Sequence, residues 1–233
     1  IIEGESMAQA LLINEIFHSI QGESTRAGLP CVFVRLAGCH LRCAYCDTEY
    51  AFHEGKRMSI DRIISTVETF GCDLVEITGG EPLLQPSVHP LMKQLCDRGR
   101  TLLLETSGAS DISLCDGRVI RILDLKCPDS GEVDRNLWSN IEHLKATDEI
   151  KFVISSRRDY EWARTAVTER GLAGQVRAIL MSPVHAVAPG RELPGCETFP
   201  LRDLAKWILE DRLPVRLQTQ LHKLVWDPTT RGV

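Results

Sequence analysis

Short apolar runs alternate along this chain with segments of helical periodicity, and that alternation limits the fold more than any other feature. The runs are LLINEIF (11–17), CVFVRL (31–36), DLVEIT (73–78), TLLLET (101–106), VIRILDLK (119–126), EIKFVI (149–154), VRAILM (176–181) and VRLQ (215–218). Ser59 is placed to cap a helix over IDRIISTVETF, whose Ile63, Ile64 and Val67 share one face. Further helical stretches cover 87–98, ending at Gly99, 159–170, ending at Gly171, and 201–211, ending before Pro214. Near-continuous apolar strands separated by helices predict a parallel sheet covered by helices. The units are too few for a closed eightfold barrel, so the expectation is an α/β fold, an open, partial (β/α) barrel. Its chemistry would sit in the loops after the carboxyl ends of the strands. The stretch 184–199 lacks a clear period and is expected to be a long loop over one end of the sheet.

A length of 233 residues, 43% hydrophobic, supports one large packed domain. Residues 1–6, IIEGES, read as a cloning remnant before a native start at Met7, leaving 7–233 as a single domain. The net charge of −5 argues against general nucleic-acid binding, which needs a Lys/Arg excess. No apolar run is long enough to span a membrane, and no signal peptide is visible. Nine cysteines, an odd number without a signal peptide, point to a reducing cytoplasm and metal ligation rather than disulfides.

Three of the nine lie in Cys39-His40-Leu41-Arg42-Cys43-Ala44-Tyr45-Cys46. Structural zinc normally takes two pairs of ligands, and no second C-x2-C occurs. Three thiolates on one loop suit a [4Fe–4S] cluster better, with an exogenous ligand on the fourth iron, since such clusters usually have four Cys. Cys31 lies inside an apolar run and reads as core. A second motif, Thr78-Gly79-Gly80-Glu81-Pro82, follows directly on a strand. It reads either as an ordinary turn or as a place where glycines let backbone approach a ligand. Arg35 interrupts CVFVRL, and a cation inside a strand must find a partner.

The C-x3-C-x2-C spacing with Tyr45 before the last Cys resembles the signature of radical S-adenosylmethionine (SAM) enzymes, and Gly79-Gly80-Glu81-Pro82 is similar to that superfamily's GGEP motif. Within it, residues 13–24 (INEIFHSIQGES), Asp47-Thr48 after the last Cys, 124–131 (DLKCPDSG), 220–223 (QLHK) and the ending Arg231-Gly232-Val233 resemble the 7-carboxy-7-deazaguanine synthase family of 7-deazapurine (queuosine precursor) biosynthesis. Leu221 departs from the family's usual Gln-Thr-His-Lys and blurs the roles of Gln218 and Gln220. Two alternatives are a glycyl-radical enzyme activase and a non-catalytic iron–sulfur or zinc module.

The resemblance implies a lyase that converts 6-carboxy-5,6,7,8-tetrahydropterin to 7-carboxy-7-deazaguanine with loss of ammonia. A 5′-deoxyadenosyl radical would abstract hydrogen at C6 and the ring would contract; the radical is carried by the cofactor, so no catalytic side chain is named. It implies a [4Fe–4S] cluster on Cys39, Cys43 and Cys46, SAM, and Mg2+ on Thr48. SAM would lie along Tyr45, Cys46, Asp47, Gly80, Asp124, Leu125, Lys126, Ser182, Pro183, Val184 and His185, with Glu81 binding its α-ammonium group. The pterin would meet Ile20, Gln21, Gly22, Glu23, Thr78 and Val233, with Arg35 on its carboxylate. An electron donor such as flavodoxin and a homodimer are implied as partners. His53, His89 and His143 read as surface residues, and His18 and His222 are left without a role.

Overall fold

The computed structural model describes residues 9–185, 200–227 and 229–233. The expectations for residues 1–6 and Met7, for 186–199 of the long loop, and for Cys196 lie outside the described residues.

Nine strands form one sheet among the described residues. They are β1 (Ala10–Ile20), β2 (Pro30–Leu36), β3 (Lys56–Ser59), β4 (Leu74–Gly79), β5 (Thr101–Thr106), β6 (Ile120–Asp124), β7 (Glu149–Ile154), β8 (Ala178–Pro183) and β9 (Arg216–Leu217). Their order is β3-β1-β2-β4-β5-β6-β7-β8-β9. Strands β2 and β4 to β9 run parallel in succession, whereas β1 is antiparallel to both β2 and β3. Strands β3 and β9 do not pair with each other, so the barrel is open, as the short count of units required. The short polar strand β3, KRMS, had no apolar run to announce it.

Helices cover the outer face. Val32, Val34, Val75, Ile77, Leu102 and Leu104 share a core with α1 (Ile60–Thr69) and α2 (Val88–Asp97). Leu123, Ile150, Phe152, Ile154, Ile179 and Met181 share a second with α3 (Arg157–Glu169) and α4 (Leu201–Glu210). Ser59 caps α1 by accepting from Arg62 N at 3.4 Å, and Ser156 caps α3 by accepting from Asp159 N at 3.2 Å.

The inner face is two-layered because strand side chains alternate. Cys31, Phe33, Leu74, Leu103 and Ile122 form an apolar floor with Phe17, which stacks on Phe33 at 5.0 Å. The turn after β1 then crosses the lumen. Gln218 grips it, accepting from Ser24 N at 3.1 Å and donating to Ser24 O at 2.8 Å. Thr25 donates to buried Glu149 on β7 through its N–H at 3.0 Å and its hydroxyl at 2.5 Å.

Outside the lumen, Arg121 on β6 and the fully buried Asp148 form an ion pair at 2.5 Å. The same carboxylate accepts from Arg121 N at 3.0 Å and Lys145 N at 2.9 Å, tying β6 to the turn before β7. Removing one partner of a buried pair strands the other charge. Arg121→Met should therefore cost about 3 kcal/mol, read as a lower urea midpoint at unchanged slope.

Candidate active site

A cavity of about 550 Å³ opens at the carboxyl ends of the parallel strands, within the usual range for small-molecule sites. Cys39, Cys43 and Cys46 from the loop after β2, Gly79 and Gly80 at the end of β4, Thr106 and Ser107 at the end of β5, and Ser182 to His185 at the end of β8 all line it. So do Asp124 and Lys126 around the end of β6. Strand ends therefore gather residues that are far apart in sequence.

The three thiols are partly exposed and free. Burial raises all three, Cys46 to about 11, so a metal that binds here must displace their protons. Among the described residues no three His, Cys, Asp or Glu side chains converge as a single-ion site. A cluster that seats each thiolate on a different iron asks for no such convergence.

The two glycines fit the strand-end turn against the cysteine loop. Gly79 has φ 146°, and a Cβ there would meet Leu36 O at 2.2 Å. A Cβ on Gly80 would meet Gly38 O at 2.2 Å and Cys39 Cβ at 2.8 Å. Gly80 N donates to Leu36 O at 3.2 Å and Glu81 N to Gly38 O at 2.9 Å. Glu81 is fully buried, and both of its oxygens accept hydrogen bonds from the chain. It accepts from Thr106 Oγ1 at 2.9 Å, Ser107 N at 2.8 Å, Ser107 Oγ at 2.5 Å and Leu83 N at 3.0 Å. The Leu125 side chain is buried in the helix-side core, facing away from the cavity, and its N–H donates to Lys151 O at 2.9 Å. The other residues expected to meet cofactor, substrate or metal all line the one cavity, Val233 among them.

Four buried polar atoms on the cavity wall lack a protein partner among the described residues: Tyr45 Oη, Asp124 Oδ1, Ser182 Oγ and Glu23 Oε1. Buried polar groups are normally satisfied, so four orphans around one space mark places for ligand atoms. Tyr45, Asp124 and Ser182 fit the cofactor reading of the cysteine loop.

Arg35 reaches the cavity from β2, and its Nε donates to Glu15 Oε1 at 2.8 Å. Tyr50 donates to the same oxygen at 3.0 Å, and its own pKa is pushed up to about 12, chiefly by burial. Arg231 stacks on Tyr50 at 3.8 Å and pairs with Glu54 at 2.8 Å, which brings Gly232 and Val233 to this corner. Gln21 is more committed than expected: its amide donates to Glu76 at 2.5 Å and accepts from Glu23 N at 3.0 Å.

The segment after β9 forms the remaining wall. Lys223 pairs with Asp47 at 2.5 Å. Burial alone would raise Asp47, but Lys223, helped by the Thr48 hydroxyl and Lys151, holds it well below the carboxylate range. Gln220 points to Asp47 at 3.4 Å whereas Gln218 holds Ser24, which separates the two glutamines by role. His222 lines the cavity, and burial followed by Lys223 lowers it to about 4, so its imidazole is neutral. His18 is exposed beside Phe70 and takes no part. Sequence reasoning missed Glu15, Glu76 and Lys151, all of which line the cavity. The signal that flagged Arg35, a charge inside an apolar strand, also marks the last two.

The radical SAM superfamily profile matches residues 33–127. A "7-carboxy-7-deazaguanine synthase" of Koribacter versatilis is 47% identical over 225 residues, covering 95% of this chain and 99% of the relative. The protein of the same name from Chlorobaculum tepidum is 46% identical over 226 residues, covering 96% and 97%. Among solved structures, QueE from Escherichia coli superposes with a TM-score of 0.71 at 23% identity, covering 94% of this chain and all of its own. Streptococcus suis SuiB bound to S-adenosylmethionine gives 0.54 at 15% identity over 78% of this chain and 48% of its own. These two likenesses speak to the fold.

The glycine geometry yields a test. Gly80→Ala puts a methyl into backbone that cannot retreat, so the cysteine loop must shift. Reconstituted iron content should fall at least fivefold while the far-ultraviolet circular dichroism spectrum stays unchanged.

Proposed function

The chain belongs to the 7-carboxy-7-deazaguanine synthase family of radical SAM enzymes, and from that premise we propose how its residues share the work. The reaction converts 6-carboxy-5,6,7,8-tetrahydropterin to 7-carboxy-7-deazaguanine and ammonia. Product and ammonia together contain the atoms of the substrate, so no net oxidant is consumed. The observation that supports placing it in this cavity is that three thiols and a ring of polar atoms without partners among the described residues share one space.

Cys39, Cys43 and Cys46 would hold the [4Fe–4S] cluster, leaving one iron for the methionine end of SAM. Bound together, cluster and SAM supply the hydrogen-abstracting radical. The remaining tasks fall to side chains. Gly80, Tyr45, Asp47, Asp124, Lys126 and the segment from Ser182 to His185 would line SAM, giving partners to Tyr45 Oη, Asp124 Oδ1 and Ser182 Oγ. Glu81 orients Thr106 and Ser107 from behind.

Ile20, Gln21, Gly22, Glu23, Thr78 and Val233 would enclose the pterin. Glu15 holds Arg35 by Nε, so its terminal nitrogens would be left to bind the substrate carboxylate as a two-point pair. Thr48 faces the cavity and donates to Asp47 Oδ1 at 2.7 Å, so its oxygen lone pairs stay open for Mg2+. A neutral hydroxyl is a weak ligand alone, and substrate oxygens and water would complete the octahedron.

Residues 7–233 act as one catalytic unit in this reading. The electron enters from a small redox protein such as flavodoxin. Exposed Leu209, Leu224 and Val225 offer apolar surface for a homodimer. Thiols that must stay reduced to bind iron suit the cytoplasm.

Anaerobic assay of the reconstituted protein with SAM, reductant, Mg2+ and 6-carboxytetrahydropterin, reading product by mass, tests the reading. Cys39→Ala, Cys43→Ala and Cys46→Ala should each abolish the cluster's visible absorption and all product. Cys31→Ala, in the apolar floor, should keep both. Iron loss in Cys31→Ala with retention in Cys39→Ala overturns the ligand assignment. Arg35→Lys loses the two-point pair, and hydrogen bonds to charged groups contribute about 1.5–3 kcal/mol. KM for the pterin should rise about tenfold with cluster content unchanged; an unaltered KM removes Arg35 from the carboxylate.

A further inference from the structure

Four ionisable side chains form the wall just above the apolar floor, and three of them have no part in the assignments above. Glu76 on β4, Glu105 on β5 and Lys151 on β7 face Glu23 from the turn after β1. Lys151 Nζ bonds Glu105 Oε1 at 2.7 Å and makes an ion pair with Glu23 Oε2 from the opposite side. Thr78 donates to the other oxygen of Glu105 at 3.2 Å. Glu23 Oε1 remains buried and without a partner among the described residues.

Three carboxylates around one ammonium cannot all ionise in a buried cleft. Burial lifts Glu76 well above the carboxylate range, and neighbouring Glu105 and Glu23 add to it, so Glu76 keeps its proton. Burial pushes Glu105 up as well, but Lys151 outweighs it and leaves the carboxyl below its ordinary value. Burial lifts Glu23, and Lys151, the strongest opposing influence, limits the rise without cancelling it, so the carboxyl stays above its ordinary value. Burial would lower Lys151, but Glu105, Glu23 and Asp124 raise it well above its ordinary value, so it is a permanent cation. Asp124 and Lys126 face this group from the end of β6, Asp47 from the cysteine loop, and neutral His222 from the segment after β9.

We propose that Lys151 is a positioning residue for the substrate: its ammonium holds Glu23 and Glu105 as two oriented carboxylates and turns the open oxygen of Glu23 toward the N–H donors of the pterin ring. The ligand class is a heterocycle whose uncharged ring carries adjacent N–H groups, donors that would satisfy an oxygen without a partner among the described residues. Lys151 itself acts through the two carboxylates. The inference rests on the pterin reading of the cavity.

The test uses anaerobic holoenzyme with SAM and no reductant, so that nothing turns over. The Kd of 6-carboxytetrahydropterin is measured from pH 6.5 to 8.5 for the wild type, Lys151→Met and Lys151→Arg. Without the cation the pKa of Glu23 rises, its carboxylate is lost as pH falls, and binding weakens with it. Lys151→Met should bind at least tenfold more weakly at pH 8.5 and lose at least a further fivefold by pH 6.5. The wild type should stay flat, and Lys151→Arg should return to within threefold of it with a flat profile. Iron content and SAM binding should be unchanged in both variants. A Lys151→Met protein that binds within twofold of wild type across the range overturns the proposal. Should that variant not fold, Glu105→Gln replaces it: a fivefold loss of affinity supports the proposal, and wild-type affinity overturns it. Failure of the wild type to make product in the parallel assay overturns the pterin reading instead, which separates the two.

Discussion

A curved parallel sheet turns half of its side chains inward, where no helix can cover them, and an open barrel has to fill that lumen from its own chain. The floor here is apolar, with Phe33, Leu103 and Ile122 sealing the base. One layer higher the sheet carries charge, and buried charge is tolerated only when it is paired or neutralised by a proton. A lone ammonium on β7 meets that demand for two carboxylates, and a third keeps its proton. The turn after β1 must therefore enter the lumen, because Glu23 is one of the groups the ammonium holds. Glycine at position 22 follows: a Cβ there would lie 2.0 Å from His222 Nδ1, and the segment after β9 could not close against the turn.

The turn after β4 shows how a motif can work at one remove from the chemistry. Its glycines let two backbone segments touch, and its glutamate is used up on donors from the next strand end. The carboxylate fixes Thr106 and Ser107 on the wall without reaching the cavity. Loss of Glu81 would free four donors at once, so its effect on the site would be indirect and large.

Much of this was legible in the sequence. The apolar runs marked the strands of the sheet to within a few residues, because parallel strands covered on the outside read as continuous hydrophobic segments. The cysteine spacing and the glycine pair marked the strand ends that meet. A local motif does not say which way a side chain turns: Glu81 turns onto Thr106 and Ser107, and Leu125, following inward-facing Asp124, falls on the helix side. Strand β3 was missed because KRMS has neither β-branched residues nor an apolar face. The charged wall was missed for a different reason. Arg35, Glu76, Glu105 and Lys151 each interrupt an apolar strand, but only the register of separate strands shows that the last three meet.

The walls of the cavity are drawn from both ends of the chain. Ser24 is gripped by Gln218, 194 positions later, and Asp47 by Lys223, 176 positions later. At ribosomal speeds of about 5–20 residues per second, the partner of Ser24 emerges roughly 10–40 s after Ser24 itself. Throughout that interval the cysteine loop already exists but has no roof. The nascent chain thus passes through a stage in which the three thiols of that loop are open to solvent, to metal donors and to oxidants alike. Synthesis of the last segments, rather than the chemistry of the loop, decides when that window shuts.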